Sequence, residues 1–99
     1  MSNSKPYVVA RCTQAGVVAG YYEGTEGGRV ILTEARQIWE FHGAQTLHEI
    51  AVYGFSDVAR TKISPRTPRD EILEADVCNL IFCQPEGQAK IEAQPDWRK

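Results

Sequence analysis

Short apolar bursts separated by turn residues run through the first half of the chain, and the spacing inside them predicts strands. In residues 6–13, PYVVARCT, Tyr7, Val9 and Arg11 alternate with Val8, Ala10 and Cys12. That is the two-residue period of an extended, β-branched segment. A short turn at Gln14-Ala15-Gly16 leads into 17–24, VVAGYYEG, which pairs back as the second arm of a hairpin. Gly20 inside that arm marks a bulge or a close backbone approach. Thr25-Glu26-Gly27-Gly28 signals another turn, and 29–33, RVILT, forms a third strand. A kink at Glu34 or Ala35 precedes a fourth strand at 36–41. There Trp39 and Phe41 share one face, while Arg36, Ile38, Glu40 and His42 share the other. This assigns Trp39 to the core, against the helix that follows.

The period then changes. After a break at His42-Gly43-Ala44, Thr46 followed by Glu49 is a capping box, in which each side chain answers a free backbone N–H at a helix start. Leu47, Ile50 and Ala51 recur at helical spacing, and Gly54 ends the run. Residues 55–61 are irregular. Residues 62–66 form at best a short edge strand, bounded by Pro65 and Pro68. Residues 70–83 hold the last long strand, strongest over 77–83, and a helical start across 70–75 fits the same residues. Pro85 opens a last short helix through Gln88, Ala89, Ile91 and Ala93, and Trp97 packs the tail down.

These elements make one domain over residues 1–99, loose at 1–5. The expected class is α+β: a mainly antiparallel meander sheet or partly closed barrel, with one central short helix and a short C-terminal helix. The strand cores Val8-Val9, Val17-Val18, Val30-Ile31-Leu32 and Leu80-Ile81-Phe82 are apolar at consecutive positions, so both sheet faces ask for cover. Two short helices supply little. Leaving such a face in water costs about 25 cal/mol per Å², which points to a barrel or to a homo-oligomer, a dimer or larger, with a pocket at the junction.

Composition narrows the chemistry. Apolar residues at 42% and charged residues at 24% are an ordinary globular balance, and a net charge of −2 encodes no broad grip on DNA or RNA. Three cysteines without paired spacing fit a reducing compartment, where thiols act as small buried hydrophobes. No stretch approaches the roughly 20 apolar residues that cross a bilayer, and the MSNSKPY start lacks a signal core. The cytosol is the expected location. His42 and His48 are the only histidines, with no acidic or cysteine cluster at metal spacing, and no glycine loop has a phosphate-binding pattern. The expectation is a protein that is not an enzyme and uses no cofactor. Arg11 and Arg36 are the better lead. Inside strands a guanidinium needs a partner or a wet cleft, so ligand contact and structural ion pairing stand level. Arg60, Lys62, Arg66 and Arg69 read as a solvated edge or as a flap that closes on a phosphate.

The runs YVVARCTQAGVVAGYYEG, VILTEARQIWEFHGAQTLHEIAVYG and ILEADVCNLIFCQPEGQAKI, with Trp97 beyond, resemble a family of small uncharacterised phage proteins. That family reads VVVRT-SAGV-AG and then A-RIW-W-GA-TL--LA--G. The likeness spans residues 7–97 and departs at Gln37, at Phe41-His42 and at Cys83-Gln84. It implies a phage accessory protein. By analogy of type, such proteins include anti-defence sponges for nucleotide signals of the Thoeris and CBASS systems. The implied partner is a small nucleotide-derived ligand, of the cyclic ADP-ribose or cyclic oligonucleotide kind, bound without cleavage in the bacterial host cytosol, with no membrane and no nucleic acid involved. Arg11, Arg36 and the N–H groups around Thr46 and Leu47 are the candidates for phosphate. Tyr21, Tyr22, Trp39 and Phe41 are the candidates for a base, Arg60 for a closing loop, and His42 borders the set. The alternatives are a protein-binding inhibitor of a host enzyme, or a non-catalytic structural or assembly factor.

Overall fold

The computed structural model describes residues 5–97, so most of the tail expected to be loose, residues 1–4, lies outside the described residues. The chain runs β1 (Tyr7–Cys12), β2 (Val17–Glu26), β3 (Arg29–Glu40), α1 (Leu47–Tyr53), β4 (Lys62–Ile63), β5 (Thr67–Leu73), a 3-10 turn at Glu74–Asp76, β6 (Val77–Phe82) and α2 (Pro85–Ala93). The six strands form one open sheet in the order β4-β3-β2-β1-β6, with β5 also beside β3, and every strand pair is antiparallel. The class is therefore α+β. The open sheet, not the partly closed barrel, is the form adopted.

The expected hairpin is present, with Tyr7 opposite Tyr21 and Val9 opposite Ala19. Gly20 lies where the β2–β3 register shifts. A Cβ there would stand 2.9 Å from the Thr33 carbonyl oxygen and 3.2 Å from the Ala35 Cα. The close backbone approach is real, and only a missing side chain permits it. The third and fourth predicted strands are one twelve-residue strand, bent at Glu34, whose φ is 50°. β5 pairs with Thr33 and Ala35 on either side of the bend, so the ladder carries across it. The single strand expected over 70–83 is two. β5 begins at Thr67 with Pro68 inside it, which an outermost strand tolerates because a proline lacks only a donor. The helical alternative survives only as the turn at Glu74–Asp76.

Alternation along β1 distributes the core to both faces. Tyr7 and Val9 join Ala19, Ile38, Ile50, Phe55, Ile63 and Ile91 under the two helices. Val8, Ala10 and Cys12 join Val18, Val30, Leu32, Ala35 and Ile72 on the other side. No helix contributes to this second cluster, yet Val8, Ala10 and Leu32 are fully buried. The sheet covers that face by curling. Bulges on β2–β3 and β1–β6, the bend at Glu34 and the three-residue turn from β5 to β6 bring its far sides around. The expectation that this face needs a second copy is thus answered mostly within one chain.

α1 starts with half of the expected capping box: the Thr46 hydroxyl caps Glu49, but the Glu49 carboxylate reaches past the Thr46 N–H to that of Gln45. The Glu49 N–H donates to the Thr46 hydroxyl at 3.1 Å, and the Glu49 carboxylate accepts from the Gln45 N–H at 3.0 Å. The N–H of Gly54 closes the helix on the Ile50 carbonyl. α2 opens with Pro85 at its first turn and lies against α1. Ile50 and Ile91 are fully buried there, each contributing about 1.5–3 kcal/mol of apolar burial. Among the described residues no helix is long and apolar enough to cross a membrane.

Gly87 in α2 sets how closely the helices approach, because a Cβ on it would stand 2.2 Å from the Ala51 carbonyl oxygen and 2.5 Å from that of Ile50. Alanine would gain roughly 1 kcal/mol of helix propensity. Pushing α2 off a backbone that cannot yield costs about 1–3 kcal/mol or more. The expected result for Gly87→Ala is a net loss of stability, read as a lower urea midpoint with an unchanged slope.

Candidate functional site

On the helix side of the sheet, β1 carries Arg11 out of the core at the end of the strand, opposite Asn79 of β6 and Val17 of β2. Its guanidinium is exposed and makes no hydrogen bond or ion pair among the described residues. Beside it the chain leaves β3 at Glu40, and the next residue, Phe41, turns inward to pack on the helix-side core. The loop then rises to the cap of α1. Together these elements form a cleft of about 410 Å³, with Arg11 at its rim and Phe41, Thr46, Leu47, His48 and Ile81 among its walls. No carboxylate lines it. Four of the ten sequence candidates, Arg11, Phe41, Thr46 and Leu47, meet here. Gln45, His48, Val17 and Ile81 were not among the sequence candidates; Val17 arrives there as the cross-strand partner of Arg11.

The other six candidates lie elsewhere. Arg36 is 1% exposed. Its Nε donates to the Ser64 carbonyl at 2.9 Å, its Nη1 to the Ile91 carbonyl at 2.7 Å, and its Nη2 to the Asp96 carboxylate at 2.9 Å. Of the two roles open to it, the geometry assigns the structural one. Burial lowers its pKa and nearby Arg66 adds to this, while Asp96 opposes both; a guanidinium remains charged regardless. Trp39, expected in the core, is 64% exposed. Alternation places it with Ala35 and Gln37 on the face away from the helices, where its ring stacks on Trp97 at 6.3 Å and 11°. Lys62 reaches to 5.4 Å above the Trp97 ring.

Tyr21 and Tyr22 point to opposite faces. The Tyr21 hydroxyl donates to Glu92 and accepts from Gln88, both at 3.2 Å, whereas Tyr22 stands edge-on to Phe82. Arg60 is held to Asp57 at 2.7 Å in the turn before β4. His42 shares the Glu40 carboxylate with Lys62, at 2.6 Å and 3.3 Å. Those contacts, the His42 hydrogen bond first and the Lys62 one second, lower the Glu40 pKa. Burial pushes the Cys12 and Cys83 thiols up to about 11, in keeping with small hydrophobes, while Cys78 is exposed. Among the described residues no three His, Cys, Asp or Glu side chains cluster as metal ligands would.

The concave face holds a larger groove of about 910 Å³ between β5, the turn that follows it and the β1–β2 turn. Its charged lining is Arg66 against Asp70, Glu71 and Asp76. Arg66 is spent on the Glu92 carbonyl, and Asp76 accepts from the N–H groups of Gln14 and Ala15 at 2.8 and 2.9 Å. That balance repels an anion. Size favours the groove as a binding site, but charge favours the Arg11 cleft for phosphate.

Two outcomes follow from this geometry. Arg36→Ala should cost about 3–5 kcal/mol, because it takes their charged donor from the Ser64 carbonyl, the Ile91 carbonyl and the Asp96 carboxylate; chemical denaturation measures it. For Glu40, a lowered folded pKa means a contribution to stability that is present above the unfolded value of 4.5 and lost as pH falls through the folded one. Carbon-detected NMR should place the Glu40 midpoint below 4.5, and His42→Ala should move it back up.

The sequence profile of a family described as a domain of unknown function, DUF6948, matches residues 5–91. No curated protein and no solved structure matches the chain. Since the matched span takes in all six strands, α1 and most of α2, the protein belongs to the DUF6948 family.

Proposed function

We propose that this protein is a non-catalytic binder that stores a small nucleotide-derived signal in the Arg11 cleft. In this reading it is a phage anti-defence protein working in the cytosol of the bacterial host. The observation that carries the reading is Arg11 itself, an exposed guanidinium without a partner among the described residues, at the rim of a cleft of about 410 Å³ that no carboxylate lines. An arginine so placed offers a forked, charge-assisted pair of hydrogen bonds to a phosphate. Phe41 offers a ring edge or face to a base, Leu47 and Ile81 offer apolar walls, and His48 and Gln45 offer further polar contacts. A net charge of −2 disfavours a long polyanion but leaves this one cation free for a small one. Storage requires neither nucleophile nor metal. The resemblance to small phage proteins supplies the biological setting.

A second reading, a protein-binding inhibitor of a host enzyme, is favoured by the Trp39–Trp97 stack, with Trp39 64% exposed and Trp97 40% exposed. Exposed tryptophans are the side chains that most often anchor protein interfaces.

A thermal-shift panel of cyclic ADP-ribose isomers and cyclic di- and trinucleotides separates the two. A ligand at 100 times its Kd should stabilise the fold by about 2.7 kcal/mol. Arg11→Ala should abolish that shift without changing the unliganded melting temperature, and the ligand should be recovered intact after denaturation. No shift with any nucleotide, together with one host protein retained by wild type and lost by Trp39→Ala, would overturn the first reading in favour of the second.

A further inference from the structure

We infer that the outer edge of β6 is a self-association edge, pairing antiparallel with the same edge of a second copy to make one continuous sheet. The inference does not depend on the nucleotide reading.

The sheet has two kinds of margin. On the β3 side, β4 is only two residues long and β5 carries Pro68, Arg69, Asp70 and Glu71. A proline, charges and shortness are the devices that stop one sheet adding to another. On the opposite side stands β6, Val-Cys-Asn-Leu-Ile-Phe, with no charge and no proline. It pairs only with β1. The Cys83 N–H donates to the Tyr7 carbonyl at 2.9 Å, and Val9 faces Ile81. This phase directs the N–H and C=O groups of Asn79, Ile81 and Cys83 toward β1 and turns those of Leu80 and Phe82 outward. Among the described residues nothing accepts from or donates to them. Phe82 is 56% exposed, an aromatic at an unguarded edge.

The occupant is a second copy because the run is complementary to itself. The register shift between Arg11 and Cys12 ends the regular part of β6 at Cys78, leaving 79–83 as the usable edge. A two-fold axis through Ile81 then sets Leu80 of each copy opposite Phe82 of the other and Ile81 opposite itself. The meetings at 80–82 are apolar, Asn79 of each copy faces Cys83 of the other, and no like charges are opposed despite the net charge of each chain. The pairing also lays the two Arg11 clefts on one side of the joint sheet, three strand spacings or about 14 Å apart across it.

Sedimentation or light scattering on the full chain over a dilution series reads the association alone, whereas ligand titration reads the cleft, so failure of one is distinct from failure of the other. The expected mass is twice the 11.1 kDa of the chain. Phe82→Lys should reduce it to one chain with an unchanged circular dichroism spectrum, and Val58→Lys, at an exposed apolar position in the loop before β4, should leave it doubled. Mild oxidation of Ile81→Cys should yield a covalent dimer that wild type, with its native Cys12, Cys78 and Cys83, does not form. A single-chain mass for wild type at the highest concentration would overturn the inference. So would a double mass that Phe82→Lys leaves intact, or an Ile81→Cys dimer that does not crosslink.

Discussion

The guanidinium of Arg36 joins parts of the chain that have little else in common. It leaves the middle of β3 on the helix side and reaches the Ser64 carbonyl after β4, the Ile91 carbonyl in the last turn of α2, and the Asp96 carboxylate in the tail. The end of a helix presents carbonyls without intrahelical partners and the negative pole of its dipole, and a buried cation answers both. Taking a charge out of water is expensive, so the arrangement holds only because several acceptors converge on it. Gln94 extends the same join, donating from its side chain to the carbonyls of Val58 and Thr61. With α2 anchored in this way, α1 is pressed against it at Gly87, and Phe41, Thr46 and Leu47 come to rest beside Arg11.

The sheet solves a problem of small size differently from its helices. A chain of 99 residues has too little helix to cover two apolar sheet faces. Here one face takes both helices and the other is sheltered by the curvature of the open sheet, through bulges, a bend at Glu34 and the tight turn from β5 to β6. That division separates the two concavities chemically. The cleft under the helices keeps an unpaired cation, while the groove on the curled face gathers carboxylates from β5 and the turn after it. The curvature leaves the margin at β6 free, opposite a margin where proline and charge discourage pairing.

Much of this was legible in the residues. Alternation and turn chemistry located the hairpin, the capping box placed the start of α1, Pro85 marked α2, and Gly20 announced a close backbone approach. Other elements were not legible, for identifiable reasons. β5 was hidden because Pro68 argues against a strand unless that strand is known to be outermost, which is a fact about its neighbours. The two halves of β3 read as separate strands because a positive φ at Glu34 looks like an interruption until β5 is seen to pair across it. Trp39 was assigned to the core because alternation put it on one face with Phe41, yet the helices cover the Ile38 face and the strand ends at Glu40, so Trp39 and Phe41 lie on different sides.

The same distinction holds for the candidate site. Local chemistry determined the secondary structure, the α+β class and the fact that strand-borne arginines need partners, because periodicity, capping and desolvation act within a few residues. Which arginine found internal partners was decided only in three dimensions. Arg36 is satisfied by carbonyls and a carboxylate lying 28 to 60 residues further along the chain, and Arg11, with an equally apolar strand around it, is met by none. Hydrogen-bond satisfaction is a property of what folding brings near, and no local pattern carries that information.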